Sequence, residues 1–287
     1  MQNLHLTEYV QNDIIAQASK QASKQASKQA SKQASKQASG HSSARIHIKL
    51  TNESCFDMLK KIPNNSVDLV LIDPPYEVSR DTNFQSGEPT GKDTDRFRIS
   101  MDFGDWDKSF TGLDIVIKEC YRVLKKHGTI ICFYDLWKIE TIKEYMENAK
   151  FKQIRFIEWI KTNPVPVNSK VNYLTNGREV AVMGIKVSKP TFHSEYDVGT
   201  YYYPICRDKG RFHPTQKPVK LFEELIAKHS NPGDIVLDCF SGAATTAVAS
   251  FNQGRNFVGC ELKKEYYDKS IKRLCDLCVE VEQEVQI

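Results

Sequence analysis

Val67-Asp68-Leu69-Val70-Leu71-Ile72-Asp73-Pro74-Pro75-Tyr76 is the stretch from which this chain is best read. Five of its first six residues are apolar, three of them β-branched, and the run is too short for a core helix, so it predicts a buried strand. Asp73 then falls at the strand's carboxyl end, where open α/β sheets gather ligand chemistry. Pro74 and Pro75 remove two backbone N–H donors and stiffen the turn, while their carbonyls stay free to accept. A carboxylate, a fixed carbonyl and the flat ring of Tyr76 then face one small volume. Such a set suits a planar substrate with an amino group: the carboxylate and the Pro74 carbonyl accept its N–H bonds, and Tyr76 stacks on its plane.

A second constellation lies near the other end. Asp234-Ile235-Val236-Leu237-Asp238 reads as a strand, Cys239-Phe240-Ser241-Gly242 as a turn, and Ala243 to Ala249 as a helix carrying Thr245 and Thr246. A glycine between strand and helix lets a ligand approach the backbone, and the helix start offers unpaired N–H groups. The next strand, Asn256 to Cys260, ends at Glu261. An acid there can accept from both hydroxyls of a ribose. One glycine with such an acid suits a single nucleoside such as S-adenosylmethionine better than a dinucleotide.

Between and around these stretches, strand and helix patterns alternate. Strands are expected at 45–50, 129–134, 154–160 and 179–185, and helices at 54–62, 113–126 and 136–149. A further helix follows His213-Pro214-Thr215-Gln216-Lys217-Pro218. This alternation predicts an α/β fold with a mainly parallel, twisted sheet. Residues 77–109 form a long polar segment directly after Tyr76, a candidate lid or DNA contact. From 161 to 212 regularity fades, apart from the strand at 179–185.

Net charge is +4 over 287 residues, but 151–220 carries twelve basic and five acidic side chains. A basic region suits a polyanionic partner. Eight scattered cysteines, several within apolar strands, fit a reducing compartment. Cys275 and Cys278 lack the second pair or nearby histidine that a zinc site would need. No apolar run is long enough to span a membrane and no secretory segment is evident, so a cytoplasmic location is expected.

Residues 17–36 are five copies of Gln-Ala-Ser-Lys, followed by Gln37-Ala38-Ser39. Alanine is the only apolar residue of the unit, so residues 1–44 are expected to be a disordered low-complexity segment. The tetranucleotide CAAG, read through in frame, encodes this unit. Slippage in such a tract would shift the reading frame, and phase-variable expression follows as a hypothesis. Mixed synonymous codons across the repeat would sink it.

Taken together, Asp73-Pro74-Pro75-Tyr76, then the basic segment, then His213 to Pro218, then Asp238-Cys239-Phe240-Ser241-Gly242, resemble the beta class of amino-group DNA methyltransferases of bacterial restriction–modification systems. The match covers 45 to about 275. The resemblance implies a Rossmann-like methyltransferase fold, with helices on both faces and circularly permuted motif order, over a catalytic domain at 45–287. The segment 161–212 would be its irregular target-recognition insert. It implies that Asp73, Pro74, Pro75 and Tyr76 hold a flipped adenine, and that Asp238, Phe240, Ser241, Gly242, Thr245 and Thr246 cradle S-adenosylmethionine. Glu261 would bind the ribose, His213, Thr215 and Lys217 would close the cofactor pocket, and Ser54 and Cys55 would flank the cofactor's adenine.

The activity implied is methyl transfer to adenine N6 in duplex DNA, by base flipping and direct in-line transfer. Cytosine-N4 methylation is the nearest alternative, although those enzymes more often carry Ser in place of Asp73. A DNA-binding relative with weak catalysis is another. Double-stranded DNA is the implied partner, with a cognate restriction endonuclease and a homodimer as further candidates. Three positions depart from the family pattern: Cys239 replaces a proline, Ala243-Ala244 replace Ser-Gly, and Ser54 replaces an aspartate. Ala244 suits a helix but is expected to crowd the cofactor if the approach is tight.

Overall fold

The structure, a computed structural model, describes residues 45–75, 110–164, 176–207, 210–213, 215–277 and 279–282. The Gln-Ala-Ser-Lys repeat, Tyr76, the candidate lid at 77–109, residues 165–175, Pro214 and Cys278 lie outside the described residues. The described elements run β1 (Ile48–Thr51), α1 (Cys55–Lys61), β2 (Val67–Ile72), α2 (Leu113–Val123), β3 (Leu124–Tyr134) and, after a short 3-10 turn, α3 (Ile139–Asn148). They continue with β4 (Lys152–Lys161), β5 (Arg178–Ile185), β6 (Thr200–Tyr203), α4 (Val219–His229) and β7 (Ile235–Asp238). Last come α5 (Thr245–Asn252), β8 (Asn256–Cys260), α6 (Lys264–Asp276) and β9 (Val281–Glu282).

All nine strands join one sheet in the order β6-β4-β5-β3-β2-β7-β8-β1-β9. Every neighbouring pair is parallel except the two made by β5, which runs antiparallel to both β3 and β4. The sheet is therefore mainly parallel, in a Rossmann-like arrangement. Period-2 alternation gives it two apolar faces. Val70, Ile72, Ile130 and Cys132 pack with α1, α2 and α3, while Leu69, Leu71, Ile131 and Phe133 pack with α4. Between β2 and β7 the order of connection reverses: β2 leads outward to β3, and β7 leads the other way to β8. A crevice at the carboxyl ends on either side of such a reversal is where this architecture binds ligands.

Several boundaries differ from the sequence expectation. The helix expected at 113–126 stops at Val123, because Leu124 leaves it to pair with Val67 on β2. The chain then bulges: Leu69 next pairs with Thr129. Lys125 in the bulge reaches Asp68 at 2.8 Å, and a Cβ on Gly128 would lie 2.9 Å from the Asp68 carbonyl oxygen, so only glycine fits there. Within 161–212, the strand expected at 179–185 forms as β5, but it is an interior strand of the sheet rather than part of an irregular insert. β6 was not expected: four residues are too few to read, yet its Tyr201 is buried and Trp159 donates its indole N–H to the Tyr203 carbonyl at 2.8 Å.

Candidate active site

β2 and β7 are parallel neighbours, so Asp73 and the turn around Gly242 emerge at one edge of the sheet. Asp73 is held by its Oδ2, which accepts from Lys217 Nζ at 2.5 Å, while its Oδ1 is buried and has no hydrogen-bond partner among the described residues. Pro74 is buried and Pro75 half-buried beside it. The peptide bonds here are trans.

The β7 turn is built differently. Asp238 Oδ1 accepts from the Phe240 N–H at 2.9 Å and Oδ2 from the Thr246 hydroxyl at 2.5 Å. The Ser241 hydroxyl donates back to the Asp238 carbonyl, and its N–H donates to Cys260 on β8. Gly242 sits at φ 50° and gives its N–H to Glu261 Oε2 at 2.8 Å; Glu261 Oε1 accepts from the Lys263 N–H at 2.9 Å. Phe240 lies edge-on to Phe110, 5.3 Å between centroids. The His213 ring faces Gly242, closing that side of the turn against Tyr266, and the exposed Thr215 meets His213 Nδ1 at 3.2 Å. Thr245 opens α5 and points its hydroxyl at the Lys217 carbonyl.

Two expected site residues, Lys217 and Cys55, are placed otherwise than the motif suggests. Lys217 is buried and bonded to Asp73 and Glu179, at the end of β2 rather than over the Gly242 turn. Cys55 lies on α1 with its side chain in the core beside Met58 and Leu59, where burial pushes its thiol up to about 12. Ser54 caps α1, accepting from the Asp57 N–H at 3.1 Å and donating to its carboxylate. Ala244 does not lie within a helix either. It is left-handed, at φ 56°, and its methyl packs in the core with Ile48, Leu50 and Phe257 rather than toward the crevice.

The electrostatics separate the carboxylates. Burial raises Asp73, Lys217 pulls it down and Glu179 pushes it up, with the balance above its ordinary value. Burial would raise Glu179 too, but Lys217 and Lys161 together hold it below. Burial pushes Asp238 up to about 7, against its two hydrogen bonds, with Asp73 and Glu261 adding repulsion. Asp238 is thus the carboxylate on which both neighbouring strand-end acids bear, Asp73 from β2 and Glu261 from β8. Burial pulls His213 down to about 4, so it is a neutral ring at pH 7.

The family model described as DNA methylase matches residues 67–272. This chain belongs to the DNA methylase family. The methylase is 32% identical over 247 residues to the type II methyltransferase M.HinfI of Haemophilus influenzae, covering 78% of this chain and 67% of that one. It is equally similar to M2.DpnII of Streptococcus pneumoniae, with 88% of that relative covered. Among solved structures, the M1.HpyAVI–SAM complex matches at 28% identity and TM-score 0.58, over 79% of this chain and all of that one. The cytosine-N4-specific PvuII methyltransferase shares the fold at TM-score 0.61 and 17% identity, over 84% of this chain and 96% of that one.

The sequence did not point to Glu179, Lys161 or Phe110. Glu179 looked like an ordinary residue at a strand start. What it lacked was the direction of β5: because β5 is antiparallel, its amino end lies where β2 and β7 end.

Proposed function

We propose that this methylase transfers a methyl group from S-adenosylmethionine to the N6 amine of adenine in duplex DNA, with the base flipped into the crevice between β2 and β7. The observation that carries this reading is the buried, unpartnered Oδ1 of Asp73 beside the Pro74 turn. A buried acceptor without a partner is costly unless a ligand supplies the donor. An exocyclic amine has two N–H groups, and Asp73 with the Pro74 carbonyl offers two acceptors.

The residues around Gly242 suit the cofactor. The glycine leaves its turn without a side chain under the His213 ring, and the Glu261 carboxylate ends the neighbouring strand as a ribose acceptor would. Phe240 and the turn 241–242 would hold the methionine part, and Asn52 to Ser54 would flank its adenine. When bound, S-adenosylmethionine supplies an electrophilic methyl group. The protein's part is to make the amine a nucleophile. Asp73 and the Pro74 carbonyl accept its N–H bonds, draw the nitrogen toward sp³ geometry and aim its lone pair along the line of transfer. Positive charge grows on nitrogen in the transition state, and fixed acceptors stabilise it there more than in the ground state, each worth about 2.7–4 kcal/mol in comparable sites. Tyr76 would stack on the flipped base.

DNA would approach the same edge. Leu136 and Trp137 follow the carboxyl end of β3, and Trp137 is 89% exposed, a ring free to stack or wedge. Arg178 is exposed beside Glu179. The basic count of this region overstates the surface field, since Lys186 and Lys217 are buried. Within 161–212, the stretches outside β5 and β6 would read the target sequence. No helix among the described residues is long and apolar enough to cross a membrane. A cytoplasmic enzyme with a cognate endonuclease, pairing with a second copy and switched by its repeat, completes the reading.

The test is transfer of tritiated methyl from S-adenosylmethionine to unmethylated genomic DNA, followed by digestion to nucleosides. N6-methyladenine is expected. N4-methylcytosine would overturn the base assignment, and no labelled nucleoside would overturn the activity.

A further inference from the structure

Four charged side chains alternate across the carboxyl edge of the sheet. Lys161 at the end of β4 meets Glu179 on β5 at 2.9 Å, Glu179 meets Lys217 at 3.0 Å, and Lys217 meets Asp73 at 2.5 Å. The Lys217 side chain is only 4% exposed. A buried ammonium with two carboxylates on it is an expensive arrangement unless its geometry is used.

We propose that Lys217, anchored by Glu179 and Lys161, is the positioning residue of the catalytic carboxylate: it occupies Oδ2 of Asp73 so that Oδ1 alone meets the substrate amine, and it keeps that carboxylate an acceptor. The inference rests on the reading that Asp73 accepts from an exocyclic amine, and it adds residues that the β2 motif does not contain.

The physical argument has three parts. A strand-end carboxylate turns freely about its side-chain torsions, and one strong charge-assisted bond fixes its plane. A carboxylate buried without a counter-ion takes up a proton, and a carboxylic acid would offer the amine a donor where an acceptor is needed. A lone ammonium beside the amine would oppose the positive charge that grows there. Glu179 removes that objection. Asp73, Lys217 and Glu179 together carry one net negative charge, and Lys161 steadies Glu179 from its far side.

The other titratable groups around Asp73 do not offer the same control. Asp238 faces it from β7 and repels it. Cys132 faces it from β3 as a neutral thiol, raised by burial. His213, before α4, is neutral. Glu261 acts on Asp238 from the end of β8. Among the described residues Lys217 is thus the cation that bears on Asp73, and Glu179 competes for it.

This competition gives the two partners opposite signatures. The full chain is labelled with 13Cγ-aspartate and titrated without ligand, the Asp73 resonance being identified by its loss in Asp73→Asn. In Lys217→Met the Asp73 midpoint should rise by about one pH unit or more. In Glu179→Gln it should fall, because the Glu179 charge that repels Asp73 and competes for Lys217 is gone. Single-turnover transfer of tritiated methyl to unmethylated genomic DNA, measured from pH 5 to 8, should show the acid limb moving the same two ways. At neutral pH Lys217→Met should lose about 10²-fold in rate while binding S-adenosylmethionine as wild type does.

Midpoints that stay put, or that move together, overturn the proposal, as does wild-type turnover in Lys217→Met. Should Lys217→Met fail to fold, Glu179→Gln decides alone: a downward midpoint supports the proposal and an unmoved one overturns it. The carboxyl titration needs no turnover. A wild-type chain that never methylates DNA would end the functional reading, and the titration would still decide whether Lys217 governs Asp73.

Discussion

Two aspartates, Asp238 buried and Asp73 partly so, end two neighbouring parallel strands, and they are used in opposite ways. Asp238 at the end of β7 has both oxygens bonded inside its own turn, to Phe240 and Thr246. Asp73 at the end of β2 has one oxygen on Lys217 and the other bare. A carboxylate bonded through both oxygens to its own turn and the helix behind it holds the shape of that turn, so Asp238 is a brace. A half-used one keeps a directed acceptor in reserve, which is what chemistry on an amine requires. The distance along the chain is instructive too. Asp238 finds its partners within eight residues, whereas Asp73 is held by a lysine 144 residues away. A turn can be made locally, while a reactive group is held from outside so that its free side stays open.

The sharpest way to break the contrast is Asp73→Ala. Transfer of tritiated methyl should fall by about 10²–10³-fold or more, as when a fixed transition-state contact is removed, with S-adenosylmethionine binding and folding little changed. Near-normal turnover would show that Asp73 is a brace like its neighbour. Asp238→Ala should fail the other way. It strands a buried hydroxyl and a buried N–H, each at a cost of about 1–3 kcal/mol, so urea unfolding should shift strongly while turnover per folded molecule changes less.

How far the sequence disclosed this site follows from the same distinction. The Asp73-Pro74-Pro75 turn, the Asp238 to Gly242 turn and Glu261 are local patterns, and a strand's period and its terminating residues are enough to find them. Lys217 was visible as part of a motif, but the partner that defines it was not, because the pairing depends on how β2 and the segment before α4 meet in space. Glu179 depended on strand direction, which periodicity does not encode. Cys55 was over-read from its motif, although its spacing with Met58 and Leu59 is that of a core helix face. β6 and the bulge before Gly128 were hidden for a simpler reason: both are made by sheet neighbours rather than by their own residues.

Thr246→Val sharpens the comparison through pH. Asp238 has its folded value raised to about 7 from an ordinary 3.8, chiefly by burial, with the Thr246 hydroxyl holding it down. A carboxyl raised in the folded state binds its proton more readily there than in the unfolded chain, so stability falls as pH climbs from about 4 and the loss is complete above about 7. Removing the hydroxyl raises the folded value further and extends that loss to higher pH. The unfolding deficit of Thr246→Val relative to wild type should therefore be larger at pH 8 than at pH 5, and an equal deficit at both would show that Asp238 is neutral throughout.

The smallest effect should come from Ala244→Gly, and it tests whether the β7 turn is insulated from its ligand. Ala244 is left-handed, which costs a residue with a side chain about 1–2 kcal/mol. Its methyl is fully buried against Ile48, Leu50 and Phe257, worth about 0.8 kcal/mol, and alanine also restricts the unfolded chain more than glycine does. These contributions nearly cancel, so the urea midpoint should move by less than about 1 kcal/mol equivalent. Because the methyl points into the core and away from the crevice, equilibrium binding of S-adenosylmethionine should be unchanged. Tighter binding in the glycine variant would mean that the methyl does crowd the cofactor, and that this turn, for all its internal bonds, is shaped by what it holds.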